Sequence, residues 1–407
     1  MWDRVRHGVG WRVRKAKRAL GRKRPVQVPV RLVHFAPNYK GNPYQRMLYA
    51  GLPDIGARAV PVKDITEHLV AEAASGNPGL FHLHWTNPIL QPAETEGEAR
   101  TRLDAFTRAV ESFTAAGGTL IWTIHNVLPH DARFTDLEIE LAKTILRHAT
   151  RVHLLSEQTL GQAAGRYVID PAKVAVIELS SYHGVYPNSM GRTKARNMLG
   201  IESSDKTLLV AGYVRPYKGI DRMLDVFDEL LSADPSLRLL IAGKPLDADG
   251  MADLEARCSE HPRVVSRFER IPDDELQVWY GAADVAVLPY TNILNSAAFR
   301  LATSFGVPAV GPRMGALTDY EGRSYVRLFD PESTADLRDV VRAAVADFAR
   351  SFHFRKAAQQ DAMAHSPQVM AAEFAQFLEP LLPPPPAPAS PVANSGTPAA
   401  EPEFDQK

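Results

Sequence analysis

Arg215 and Lys218 stand in the stretch LLVAGYVRPYKG, Leu208 to Gly219, between an apolar run that ends at Gly212 and a helix start at Gly219. A short loop there sets two fixed cations beside the free N–H groups of a helix N-terminus, an arrangement that suits a doubly charged diphosphate. The same spacing fits a surface turn with solvated cations, so the neighbouring elements decide between the two. Further on, ADVAVLPYTNILNSAAFRLATSFGVPAVGP, Ala283 to Pro312, predicts a buried strand to Leu288, a break at Pro289, and a polar loop. A helix follows from near Ser296, ended by Gly306, with the next strand over Val307 to Val310. Two βαβ units in one half of the chain point to a doubly wound parallel sheet.

These segments, with IAGK (Ile241 to Lys244) and DDEL…WYGAADVAVLPY (Asp273 to Tyr290) between them, resemble the GT-B glycosyltransferases, specifically the large retaining family four. The resemblance covers the order and spacing of elements from about Leu208 to Asp330. It implies an α/β fold of two Rossmann-like domains facing a central cleft, and a nucleotide diphosphate sugar as donor. Gly212, Tyr290 and Lys244 lie in the matching segments and are expected on the donor side. The family's two donor-flanking glutamates are replaced here by Ile293 and Leu301. Asn292, Asn295 and Ser296, clustered at a helix start, are the candidates to grip phosphate or sugar instead, with Ser296 or Asn295 alternatively a plain helix cap.

The 407 residues suit two domains, and the single cysteine, Cys258, excludes an intrachain disulfide framework. The formal charge is zero, yet residues 1–24 hold ten Lys and Arg against Asp3, leaving 37 basic against 46 acidic residues elsewhere. Trp2, Val5, Val9, Val13, Ala16 and Leu20 recur at helical spacing, which predicts a basic amphipathic arm on an anionic membrane surface. A basic disordered arm, a targeting peptide and a nucleic-acid contact are the other readings of that segment. No apolar stretch is long enough to span a bilayer, and the arm lacks the apolar core of a secretory signal. The expected location is therefore cytoplasmic, peripheral on the inner face of the membrane.

An N-terminal Rossmann-like domain is expected over 25–183, a linker over 184–205, and a nucleotide-sugar-binding domain over 206–366. A helix crossing back to the first domain should fill 367–382, and a Pro-, Ala- and Ser-rich disordered tail 383–407. In the first domain the loop after its first strand carries Gly41 and Asn42. LFHLHWTNP (Leu80 to Pro88) and TLIWTIHNVLPHD (Thr119 to Asp131) run from apolar strands into polar clusters. Ligands bind outside the carboxyl ends of strands in open α/β sheets, so His84, Trp85, Asn87, His125, Asn126, His130 and Asp131 should converge on the cleft. Trp85 offers a flat face to a sugar ring, and His125 of the HN pair resembles the family's sugar-facing histidine. His82, deeper in its strand, reads as structural.

The reaction expected is transfer of a sugar from a UDP- or GDP-sugar to a hydroxyl of a lipid-linked or saccharide acceptor. Arg215 and Lys218 would stabilise charge on the leaving diphosphate, and His125 would orient the donor sugar. If the configuration is retained, no protein base is needed; if it inverts, Asp131 or His130 is the candidate base. The spacing of His125, His130 and Asp131 matches no metal motif, so neither metal nor cofactor is expected. A nucleotide-sugar epimerase or hydrolase and a non-catalytic nucleotide-sugar or membrane-binding module are the rival readings. Nucleic acid is not an expected partner, because nothing beyond the arm supports it.

Overall fold

Short apolar runs separated by amphipathic helices can bury both faces only in parallel sheets covered on each side. A computed structural model shows two of them, and it describes residues 30–130, 132–246 and 250–384. The first sheet contains β1 (Arg31–Ala36), β2 (Ala57–Pro61), β3 (Leu80–Leu83), β4 (Thr119–Ile124), β5 (Arg151–Leu154) and β6 (Val174–Val176), in the order β2-β1-β3-β4-β5-β6. The second contains β7 (Lys206–Ala211), β8 (Leu237–Ala242), β9 (Val264–Arg267), β10 (Val285–Val287), β11 (Ala309–Pro312) and β12 (Val326–Phe329), in the order β12-β11-β10-β7-β8-β9. Every strand pairing within each sheet is parallel.

In each sheet the chain starts in the middle and winds outward both ways, which creates a crevice at the reversal. The crevices lie between β1 and β3 in the first sheet and between β7 and β10 in the second. The loops after β7 and β10 are those of Arg215–Lys218 and Asn292–Ser296, so the second crevice gathers the donor-side candidates.

Alternation sets the two faces of the first sheet. Phe81, Leu83, Leu120 and Trp122 pack on the helix Glu96–Ala115. Val33, Phe35, Leu80 and Ile121 face the other way and are covered by Met370, Phe374 and Leu378 of the helix Pro367–Leu378. The C-terminal helix thus returns to the first sheet. The second sheet buries Leu208, Val210, Leu239, Ile241, Val285 and Val287 against the helices Ile220–Ala233 and Thr334–Phe348. Both sheets belong to one compact unit, Val30–Pro385.

The span 184–205 is more than a connector. It holds the helix Arg192–Met198, and Ala195 joins the core of the second half. Arg192 pairs with the buried Asp284 at 2.5 Å, and Arg196 reaches the same carboxylate at 3.5 Å. The arm 1–24, most of the tail 383–407, and Asp131 lie outside the described residues.

Candidate active site

Two loops carry the donor-side candidates, and backbone geometry locks them together. Gly219 sits at φ +63°, and a Cβ there would stand 2.2 Å from the carbonyl oxygen of Pro289. Only glycine combines that left-handed conformation with so close an approach. Thr291 N–H then donates to the Tyr217 carbonyl at 2.9 Å, fastening the loop after β10 to the loop after β7. Between them Lys218 is nearly buried. Its Nζ donates to the Tyr290 hydroxyl at 2.7 Å and lies 4.4 Å from the centre of that ring. Gly212 leaves room for it, since a Cβ there would meet the Lys218 Nζ at 3.1 Å. Burial pulls the lysine's pKa down from its ordinary value, and the charge of Arg215 acts in the same direction. A buried cation pressed by a second cation is stabilised by an anion.

Arg215 and Lys218 open into a cavity of about 390 Å³ whose wall includes Gly212, Tyr290, Asn292, Asn295, Ser296 and Leu301 from the second half. Asn126, His130, Tyr182 and Tyr186 complete it. Among the described residues no carboxylate lines this cavity. Leu301 and Ile293 contribute apolar wall to it. Asn295 bridges the halves: its Nδ2 donates to the His125 carbonyl at 3.2 Å, while its Oδ1 is buried without a partner among the described residues. Ser296 caps the helix Ala297–Ser304, its hydroxyl accepting from Phe299 N–H at 3.1 Å, so its oxygen is already engaged. His130 and Tyr217, both lining the cavity, stack with centroids 4.6 Å apart.

Several other expected residues stand elsewhere. Lys244 is exposed and outside the cavity wall; its carbonyl accepts from Val214 N–H. Gly41 and Asn42 form an exposed turn in which Asn42 Oδ1 accepts from Tyr44 N–H at 3.0 Å, and neither reaches the cavity. Asn87 opens the short helix Asn87–Leu90 and donates to Gln91 Oε1 at 3.0 Å. With His84, Trp85, His125 and Asn126 it lines a small recess, and Asn126 is shared with the main cavity. The Trp85 face expected to take a sugar is covered: the His125 ring stacks on it at 4.0 Å and 14°, and Tyr39 packs against the same side chain.

Beneath that recess lies a feature sequence reasoning missed. His125 Nε2 is 3.1 Å from His84 Nδ1, and His84 Nε2 is 2.7 Å from the Tyr49 hydroxyl. Tyr49 also reaches His82 Nδ1 at 2.8 Å, and His82 Nε2 meets Thr123 Oγ1 at 2.7 Å. Thr123 contacts His153 Nδ1 at 2.9 Å, and His153 Nε2 reaches the Ile177 carbonyl at 3.0 Å. Burial pushes the pKa values of all four rings below the ordinary histidine range, that of His153 to about 4. The signal available in the sequence was His82 and His84 at strand spacing on one face, next to strands carrying Thr123 and His153.

A family model described as glycosyl transferases group 1 matches residues 205–347, which contain both donor-side loops. These residues form a group 1 glycosyltransferase domain. The chain is 27% identical over 315 residues to a GDP-mannose:glycolipid 4-beta-D-mannosyltransferase of Xanthomonas campestris pv. campestris, covering 76% of this chain and 82% of the relative. It is 31% identical over 183 residues to a D-inositol 3-phosphate glycosyltransferase of Streptomyces bingchenggensis, covering 42% of this chain and 40% of that one. Anabaena Alr3699/HepE, solved with UDP and glucose, superposes with a TM-score of 0.66 at 15% identity, over 86% of this chain and all of that one. The glycosyltransferase therefore has the GT-B fold, with the Arg215–Lys218 cavity in its second crevice.

Proposed function

We propose that the enzyme transfers a sugar from a GDP- or UDP-sugar to a hydroxyl of a lipid-linked or membrane-associated saccharide. The observation that carries this reading is the cavity at the β7–β10 crevice, where the nearly buried Lys218 and its neighbour Arg215 line one wall beside Asn295. A nucleoside diphosphate brings the negative charge that such a wall favours, and a leaving diphosphate develops more as the glycosidic bond breaks. Asn295 Oδ1, buried and without a partner among the described residues, accepts from a ligand hydroxyl, a polar grip where the resemblance would have glutamates. The Xanthomonas relative's name supports a GDP-linked donor and a glycolipid acceptor.

That name also favours inversion. Forming a β-glycoside from an α-linked glycosyl diphosphate inverts the anomeric centre, which calls for a base at the acceptor hydroxyl. His130, which lines the cavity, or its sequence neighbour Asp131 is proposed for that role. With Arg215 and Lys218 supplying the positive charge, the reaction is proposed to need neither metal nor cofactor. Residues 1–24 are proposed to hold the enzyme on the anionic cytoplasmic face of the membrane.

The test is transfer of labelled sugar from GDP-mannose, UDP-glucose or UDP-galactose into organic-extractable product with a polyprenyl-linked saccharide acceptor, with and without a chelator. Label in the lipid fraction, unaffected by chelator and lost in Arg215→Ala, supports the reading. Donor binding without turnover on any such acceptor favours the non-catalytic module made credible by Leu301 and Ile293. Loss of turnover with chelator overturns metal independence.

A further inference from the structure

The hydrogen-bonded chain beneath the recess has only one consistent polarity when its rings are neutral. The Ile177 carbonyl accepts and never donates, so His153 Nε2 carries the hydrogen at that end. A neutral His153 then has a bare Nδ1, into which the Thr123 hydroxyl donates its single hydrogen. The Thr123 oxygen must accept from His82 Nε2–H, which leaves His82 Nδ1 bare to accept from the Tyr49 hydroxyl. The Tyr49 oxygen in turn accepts from His84 Nε2–H, and the bare His84 Nδ1 accepts from His125 Nε2–H. Each link holds one hydrogen, so the choice made at the carbonyl is passed to the far end. We propose that this buried chain locks His125 in the Nε2–H tautomer, so that it presents an unprotonated Nδ1 as a hydrogen-bond acceptor at the recess.

Aromatic side chains pack around the chain, and the Tyr44 hydroxyl lies beside Thr123. His82, His84, Thr123 and His153 are fully or almost fully buried. Phe374 of the C-terminal helix stacks on His82 with centroids 5.2 Å apart and lies 5.5 Å from His153. Tyr44 packs edge-on against His84 and His125, and Trp85 covers the His125 face. Among the described residues no Asp, Glu, Lys or Arg side chain hydrogen-bonds to any member of the chain, so no charge competes with the carbonyl in setting its direction. His125 Nδ1 likewise has no hydrogen-bond partner among the described residues. Tyr49, His82, His84, Thr123 and His153 are positioning residues. Through them His125 takes a hydrogen bond from a sugar hydroxyl and cannot donate one. That last role rests on the proposed function; the tautomer does not.

The experiment is long-range 1H–15N spectroscopy on the full chain with 15N-labelled histidine at neutral pH, the His125 signals assigned with a His125→Gln variant. The account expects all four rings in the Nε2–H form and a coupling across the hydrogen bond from His125 Nε2–H to His84 Nδ1. In Tyr49→Phe the buried His84 Nε2–H loses its acceptor, which favours the reversed direction, so a measurable share of His125 shifts to the Nδ1–H form. His125 as Nδ1–H or as a mixture in the native chain overturns the inference, as does a folded Tyr49→Phe chain in which His125 stays wholly Nε2–H. If that variant does not fold, the native spectra and the coupling decide alone. A locked tautomer without any glycosyl transfer would refute the proposed function and leave this inference standing.

Discussion

Acid should weaken this fold earlier and more steeply than usual, because four neutral histidines lie in one buried chain. Lowering the pH from 7 to 5 is the perturbation. An unfolded histidine binds its proton near pH 6.5, whereas burial holds the folded values lower, that of His153 at about 4. The unfolded chain therefore binds more protons in this window, and stability present above pH 6.5 is lost as pH falls toward the folded values. For His153 the loss between pH 7 and 5 is about 2 kcal/mol by linkage, and His82, His84 and His125, lowered by burial, add losses of the same sign. Two groups act oppositely: Glu138, raised to about 7 by burial, offsets about one ring, and His365, raised by its hydrogen bond to Asp361, offsets part of another. Against a total stability of roughly 5–15 kcal/mol the loss is large. Denaturant unfolding of the full chain across this range measures it, and His153 alone should contribute a slope near pH 5.5 that approaches about 1.4 kcal/mol per pH unit. His153→Phe should reduce that slope by one such increment, whatever it does to stability at pH 7. A stability flat from pH 7 to 5, or a slope unchanged in His153→Phe, would refute the reasoning.

Other outcomes follow from the cavity and its loops. Arg215→Ala and Lys218→Met should each lower kcat by about 100- to 1000-fold with little change in Tm, the range for removing one preorganised charge-stabilising donor, read in the transfer assay. Tyr290→Phe removes the hydroxyl that accepts from Lys218; donor KM should rise several-fold while the far-ultraviolet circular dichroism stays native. Gly219→Ala combines a left-handed backbone with a clash on Pro289; it should cost at least about 2 kcal/mol, seen as a Tm lowered by several degrees. Asn295→Ala breaks the bridge to the His125 carbonyl and should weaken donor sugar binding more than binding of the bare nucleotide, by competition calorimetry.

The cluster of donor-side candidates was legible because its residues are local in the chain. Gly212, Arg215, Lys218 and Gly219 sit within one strand-loop-helix, so residue order alone placed them at a strand's carboxyl end. The Asn292–Ser296 cluster was legible as a helix start, but not the division of labour within it, in which Ser296 caps the helix and Asn295 bridges the halves. Lys244 was expected on the donor side from its matching segment, yet it is exposed and outside the cavity wall. Trp85 was misread because stacking on His125 joins side chains from β3 and β4 ends that periodicity does not align. The histidine chain escaped for the same reason: its links join residues 30 to 41 apart on separate elements. The helix Arg192–Met198 was hidden within a stretch read as linker, since its attachment comes from Asp284 far along the chain.

The central claim is that Arg215 and Lys218 form a diphosphate site in the β7–β10 crevice. Titration calorimetry of GDP and UDP into the full chain in metal-free buffer, beside the Arg215→Ala, Lys218→Ala double variant, tests it most directly. The account predicts that one of the two nucleotides binds the native chain and that the double variant loses more than about 100-fold in affinity, as two charge-assisted hydrogen bonds disappear. Equal affinity in native and variant chains, or no binding of either nucleotide to the native chain, would contradict it.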